Sequence, residues 1–242
     1  MNQFKRLSLL IILFISCTIN YAQQDQKADL YLQGVSNQFD MNEGYQIQMD
    51  YIREDIMRET YAEGKGTIWM KGLMYKIVVD EYITYYDGNK LFSQNTEAEE
   101  VYVSIPDPDQ PGYLQAVPIK IIKSYEQDFK YKFMGSSHFK GKEHIEVQLY
   151  PKDISGPYSM LKMFINPYTL TLEAIQLKHK EGIQYTMILS EVKGNQKLED
   201  DTFVFNPTDY PNTEVIELIE EVENRYGDKN LFRIFNPGMV DI

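Results

Sequence analysis

The sequence is poor in the residues that carry most protein chemistry. Its 242 residues include one cysteine, Cys17, one tryptophan, Trp69, and three histidines, His138, His144 and His179. A single thiol closes no internal disulfide, and a chain that loses Cys17 with a leader has no thiol nucleophile and no Cys-ligated metal. No histidine has a neighbour at the spacing of HxxxH or HExxH. All three stand beside polar residues in strand-like stretches, the setting of exposed or edge histidines. No glycine-rich phosphate loop follows a strand and no GxSxG elbow occurs. The acidic pairs Glu99-Glu100 and Asp200-Asp201 read as solvated loop charge, and Asp107 and Asp109 lack an EF-hand's ligand set. The expectation is a binding protein: no enzyme, no cofactor, no metal.

Positive charge is also scarce. There are 24 basic against 36 acidic side chains, a net charge of −12. Nucleic-acid affinity comes largely from Lys and Arg neutralising phosphates, so nucleic acid is excluded as a partner, and an anionic membrane face is disfavoured. The charge favours a soluble, self-repelling monomer.

Long apolar runs are missing too. The longest, Leu7 to Ile15, is broken by Ser8 and falls short of the roughly 20 residues of a membrane span. With Lys5 and Arg6 before it and Asn20-Tyr21-Ala22 after it, the run reads as a secretory signal cleaved after Ala22, so the expectation is an exported protein. The alternative is lipidation at Cys17, where Ser16 suits a lipoprotein box but Phe14 and Ile15 do not. The expected division is a signal peptide over 1–22, one domain over 23–218 and a C-terminal extension over 219–242.

What the chain has is periodicity. Ala28 to Phe39 places Leu32, Val35 and Phe39 at helical spacing. From Tyr45 the period falls to two: Tyr45, Ile47, Met49 and Tyr51 alternate with Gln46, Gln48 and Asp50. About ten such strands follow up to Leu189, joined by turn signals at Lys71-Gly72, Asp87-Gly88, Gly141-Lys142, Asn166-Pro167 and Gly182. Short strands with tight turns make an antiparallel sheet. Gly64 and Gly66 read as bends. A proline-rich break at Ile105 to Gly112 precedes a helix, broken near Pro118, over Tyr113 to Tyr125. Phe203-Val204-Phe205 reads as a last short strand, and Thr213 as the cap of an acidic helix stopped by Gly227. So many strands must curl, close or split. With 19 tyrosines and 12 phenylalanines, the inner face is either an ordinary filled core or the wall of a ligand cavity.

The order helix, strands, helical break, strands resembles the periplasmic outer-membrane lipoprotein carrier family, the LolA type, in its Bacteroidetes form. The resemblance lies in Ala28-Asp29-Leu30 with Val35 and Phe39, Gly64 to Gly72 with Tyr75-Lys76, Tyr86-Asp87-Gly88-Asn89-Lys90-Leu91-Phe92, Gly141 to Val147, and Asp201 to Pro207. It implies an incomplete β-barrel, a strongly curved antiparallel sheet under a helical lid, with a hydrophobic cavity that takes acyl chains of lipoproteins or other lipids. The implied lining is Ile47, Met49, Tyr51, Ile68, Met70, Tyr75, Ile77, Val101 and Val103 on one half, and Ile145, Val147, Met163, Ile175, Tyr185 and Met187 on the other. Leu32, Val35, Leu114 and Ile121 would belong to the lid. Lys71 stands where relatives have an Arg-Pro pair whose Arg holds the lid; lysine keeps the charge but not the planar fork. The implied partners are an inner-membrane releasing transporter and an outer-membrane acceptor. A lipid- or lipoprotein-sensing regulatory module of the same fold, or an anchored acceptor if Cys17 is lipidated, is the alternative.

Overall fold

A computed structural model describes residues 26–107, 109 and 119–218. The signal segment, Cys17, Leu114 and the extension over 219–242 lie outside the described residues. Helix α1 covers residues 26–38. It is followed by β1 (Gly44–Asp55), β2 (Thr60–Lys71), β3 (Met74–Val79), β4 (Tyr82–Tyr86), β5 (Leu91–Asn95) and β6 (Glu100–Ser104). Two short helices come next, α2 (Ile119–Lys123) and α3 (Tyr125–Asp128). Then follow β7 (Phe129–Phe139), β8 (Lys142–Pro151), β9 (Tyr158–Ile165), β10 (Leu172–His179) and β11 (Ile183–Lys193), a 3-10 turn at Asp200–Phe203, and β12 (Glu214–Glu217).

All twelve strands form one curved, unclosed sheet in the order β12-β6-β5-β4-β3-β2-β1-β11-β10-β9-β8-β7. Two antiparallel meanders, β1 to β6 and β7 to β11, meet along a β1–β11 seam running from Gln46 opposite Lys193 to Asp55 opposite Ile183. The alternation read from the sequence is the alternation of the sheet's faces. Tyr45, Ile47, Met49 and Tyr51 are buried, and the residues between them are half-buried. The turn glycines behave as expected: Gly88 (φ 96°) and Gly182 (φ 83°) occupy a backbone region that a Cβ disfavours.

Several expectations are corrected. Thr213 caps no helix. The segment after it forms β12, which pairs parallel with β6, Glu214 opposite Glu100 and Glu217 opposite Val103. Acidic residues flanking an apolar Val215-Ile216 pair suit a helical first turn and an edge strand alike, and the open edge of β6 decides between them. Phe203 ends a 3-10 turn instead of opening a strand. Phe203 itself is buried, while Phe205 packs on the convex face against Tyr85 and Val101. Two of the three histidines are buried, His144 at 3% and His179 at 5% exposure, whereas His138 is not. The helical break keeps its place, with α2 and α3 divided at Ser124; the expected residues before Ile119 are outside the described ones.

Gly64 and Gly66 are not bends. They lie inside β2 and leave room for neighbours on β1. A Cβ on Gly64 would stand 2.6 Å from Cε1 of Tyr51, whose hydroxyl donates to Asp80 Oδ2 at 2.6 Å. A Cβ on Gly66 would meet Met49 Cε at 2.7 Å, Val79 Cγ2 at 2.8 Å and the Val78 carbonyl at 2.9 Å. The last contact is backbone and cannot move aside. Gly66→Val is therefore expected to lower stability by about 1–3 kcal/mol through overpacking, read as a lower urea midpoint at unchanged slope.

Candidate functional site: a covered concave face

The apolar face of the sheet is built in rows across the strands. One row runs Tyr45, Met70, Tyr75, Tyr86, Leu91, and the next runs Ile47, Ile68, Ile77. Across the seam, Met187 stands opposite both Tyr51 and Ile175, and Met163 opposite Ile175 and Val147. These rows and the helices form one apolar cluster.

The cover is amphipathic. Ala28, Leu32, Val35 and Phe39 recur at three- and four-residue spacing along and just past α1, all 2% exposed or less. From α2 come Ile119, Ile121 and Ile122, each 8% exposed. Aromatic contacts add to the packing: Phe39 meets Tyr45 edge-on at 5.4 Å, and Tyr31 stacks on Phe133 of β7 at 5.8 Å. A small set of polar bonds fixes the cover. Lys123 Nζ donates to the Ser36 carbonyl at 2.6 Å, and burial pushes this ammonium below its ordinary value. The Tyr125 hydroxyl donates to Asp29 Oδ1 at 3.0 Å, and the Leu172 N–H to Gln38 Oε1 at 2.9 Å.

Most of the lining expected from sequence converges here. Ile47, Met49, Tyr51, Met70, Tyr75, Ile77, Ile145, Val147, Met163, Ile175 and Tyr185 are buried in the cluster with Leu32, Val35 and Ile121, and Ile68 and Met187 pack against it half-buried. Val101 and Val103 do not converge. They stand opposite Gln94 and Phe92, in rows that fall between the inner ones, and Val101 belongs to the convex cluster. The phase of β6 is one residue off because the Asn95–Glu100 turn resets it. Lys71 makes a latch, but not to the helices: its Nζ donates to the Leu198 carbonyl at 3.2 Å and to Asp200 Oδ1 at 3.0 Å. It pins the loop that crosses the convex face.

Sequence reasoning missed the helix ties, because Asp29 and Tyr125 are 96 positions apart and no local pattern pairs them. It also stopped the inner row of β1 at Tyr51. The same phase continues into Arg53 and Asp55, buried at 7% and 4% and 3.7 Å apart.

Among the described residues the chain's own helices cover the concave face, and the C-terminal end of α1 borders an opening. There a cleft of about 460 Å³ is lined by Gln38, Tyr45, Leu172 and Leu189, with Glu43, Glu173 and Glu191 around them. Its size is in the lower half of the range for small-molecule sites. Among the described residues no cluster of His, Cys, Asp or Glu is placed to hold a metal ion.

Two outcomes follow from these contacts. Replacing both Lys123 by Met and Tyr125 by Phe removes two cover bonds, each worth about 1–2 kcal/mol. Amide exchange over residues 26–38 is expected to accelerate while that of β1 and β11 stays unchanged. Glu173 at the cleft accepts from Asn166 Nδ2 at 2.8 Å and lies 2.8 Å from His144 Nε2. The Asn166 bond, then the His144 contact, hold its carboxyl below the ordinary 4.5 against desolvation. A depressed carboxyl stabilises the fold above its unfolded value and loses that contribution as pH falls through the folded one. Denaturant midpoints of Glu173→Gln should therefore fall less steeply than the parent's below about pH 4.5.

Comparison with known proteins gives this geometry a family. No curated protein matches the sequence. Among solved structures, an uncharacterized conserved protein from Thermus thermophilus superposes with a TM-score of 0.51 at 8% identity, covering 79% of this chain and 99% of its own. A LolA superfamily protein from Nitrosomonas europaea gives a TM-score of 0.42 at 10% identity, over 75% and 98% of the two chains. The sequence pattern of outer membrane lipoprotein carrier protein LolA matches residues 80–206, more than half of the chain. An unclosed, helix-covered antiparallel sheet carrying that pattern belongs to the LolA family, a family of lipid- and lipoprotein-binding carriers.

Proposed function

We propose that this chain is a periplasmic carrier that takes acyl chains of lipoproteins or other lipids onto its concave face and moves them toward the outer membrane. The observation that carries the reading is the cover. Among the described residues the sheet's apolar face is covered by three short helices, α1, α2 and α3, whose buried contacts with it are mainly apolar. Such a cover can be exchanged for a ligand of the same chemistry. An acyl chain gains about 0.8 kcal/mol per buried methylene and needs no directed polar partner, so a long chain offsets the loss of the Leu32, Val35 and Phe39 contacts. Met49, Met70, Met163 and Met187 supply deformable walls that suit chains of different length. In this reading the helices open for cargo and close on the empty face, an inner-membrane transporter loads the carrier, and an outer-membrane acceptor unloads it. The signal-like pattern over 1–22 supports the location.

The test is native mass spectrometry with lipid extraction on the full chain isolated gently, followed by uptake of a fluorescent fatty acid. Met187 is half-buried on the concave face, so Met187→Asp places an unpaired charge there at less cost to folding than Met49→Glu or Ile77→Glu. Uptake by a normally folded Met187→Asp protein should fall by about tenfold or more, the equivalent of at least 1.4 kcal/mol. Unchanged uptake in that variant would rule out the concave face as the acyl site.

A further inference from the structure

The end of the sheet opposite the cleft carries exposed apolar side chains that the carrier reading leaves unused. Exposed apolar residues scattered singly are ordinary. These are not scattered. Met57 and Ile154 are each 80% exposed and Ile56 is 61% exposed. They sit on the β1–β2 turn and the β8–β9 loop. The β10–β11 turn lies between these two and is bonded to both: the Ile56 N–H donates to the Gly182 carbonyl at 3.1 Å, and the Lys180 N–H to the Pro157 carbonyl at 2.9 Å.

The tips are held outward. Asp55, its side chain 3% exposed and paired with Arg53 and Arg58, accepts the N–H groups of Met57 at 3.1 Å and Arg58 at 3.0 Å. Asp153 accepts from the Ser155 N–H at 2.9 Å, and Lys180 Nζ donates to the Ile154 carbonyl. Both loops are thus fixed by polar bonds beneath them while the apolar ends face solvent.

Charge tells which partner suits this end. Residues 55–59, 152–157 and 178–182 carry four cations, Arg58, Lys152, Lys178 and Lys180, against four carboxylates, in a chain of net charge −12. This end approaches a phospholipid surface without the repulsion that the rest of the molecule meets, and its cations have long stems that reach headgroup phosphates while the tips enter the acyl boundary. Apolar tips that protrude on separate loops match a flat bilayer better than the concave pocket of a protein.

We infer that the Met57–Ile154 end is a bilayer-docking surface, by which the carrier rests on a phospholipid membrane. The contact also reaches the cover. Lys152 donates its N–H to the Asp128 carbonyl at 2.8 Å and its Nζ to the Glu126 carbonyl at 2.8 Å. The loop that enters the membrane therefore holds α3.

The experiment is amide exchange on the full chain with and without vesicles of phosphatidylethanolamine and a minor fraction of phosphatidylglycerol. Vesicles are expected to protect residues 55–59 and 152–156. The double variant Met57→Asp, Ile154→Asp should lose this protection and bind vesicles about tenfold more weakly, with exchange of the central strands unchanged. Protection confined to other segments, or equal binding by the variant, would overturn the inference. So would loss of a protein partner on the same substitutions without any vesicle contact. Fatty-acid uptake from lipid-free solution should be unaffected in the variant, which separates failure of docking from failure of the carrier reading.

Discussion

An unclosed sheet cannot bury its own inner face, and most of this structure answers that constraint. In a closed barrel opposite walls meet across the axis. Here β7 and β12 end the sheet without meeting, so the rows through Ile47, Met49 and Met163 need a foreign layer. The chain supplies one from α1, α2 and α3. That layer meets the sheet mainly through nondirectional apolar contact, with a directed bond from the Leu172 N–H to Gln38, while the bonds at Ser36 and Asp29 tie the helices to one another. In a carrier of this kind a binding site and a core would be the same surface in two states, with the balance between them set by what else nearby is equally apolar.

This identity explains why the sequence left open a filled core or a cavity. Period-two alternation states which residues turn inward, and it did so for β1, β2, β3, β8 and β11. It does not state what lies above them. The errors have a common cause. Val101 and Val103 were placed inward by the resemblance, and their own alternation does not say which face of the sheet they occupy. The segment after Thr213 was read as a helix because the edge of β6 that captures it is more than a hundred residues away. Lys71 was assigned to the lid by the resemblance, whereas its partners Leu198 and Asp200 lie on the other side of the sheet and are nonlocal in sequence. Buried His144 is paired through Glu173, a residue of a different strand. Local pattern gives phase and element type; partners come from topology.

Charge is distributed to match the same plan. A net charge of −12 opposes self-association, which suits a fold whose apolar face lies under a thin cover. Lys130 and Lys132 lie on β7, one of the sheet's two ends, where charged side chains discourage strand addition by another molecule. The other end is blunted by β12, four residues long and mostly exposed.

The seam between the two meanders has a kinetic meaning. Each meander joins neighbours in sequence, so β1 through β6 and β7 through β11 can assemble as soon as they are synthesised. The β1–β11 ladder instead joins Gln46 to Lys193, and β12 joins Glu214 to Glu100. Pairings of that separation pay the entropy of closing a long loop before any contact rewards them, and they form late. Half-sheets formed before that closure would carry unpaired edges and an uncovered apolar face. The topology thus puts the molecule's greatest exposure to its neighbours before the seam closes, ahead of the finished fold.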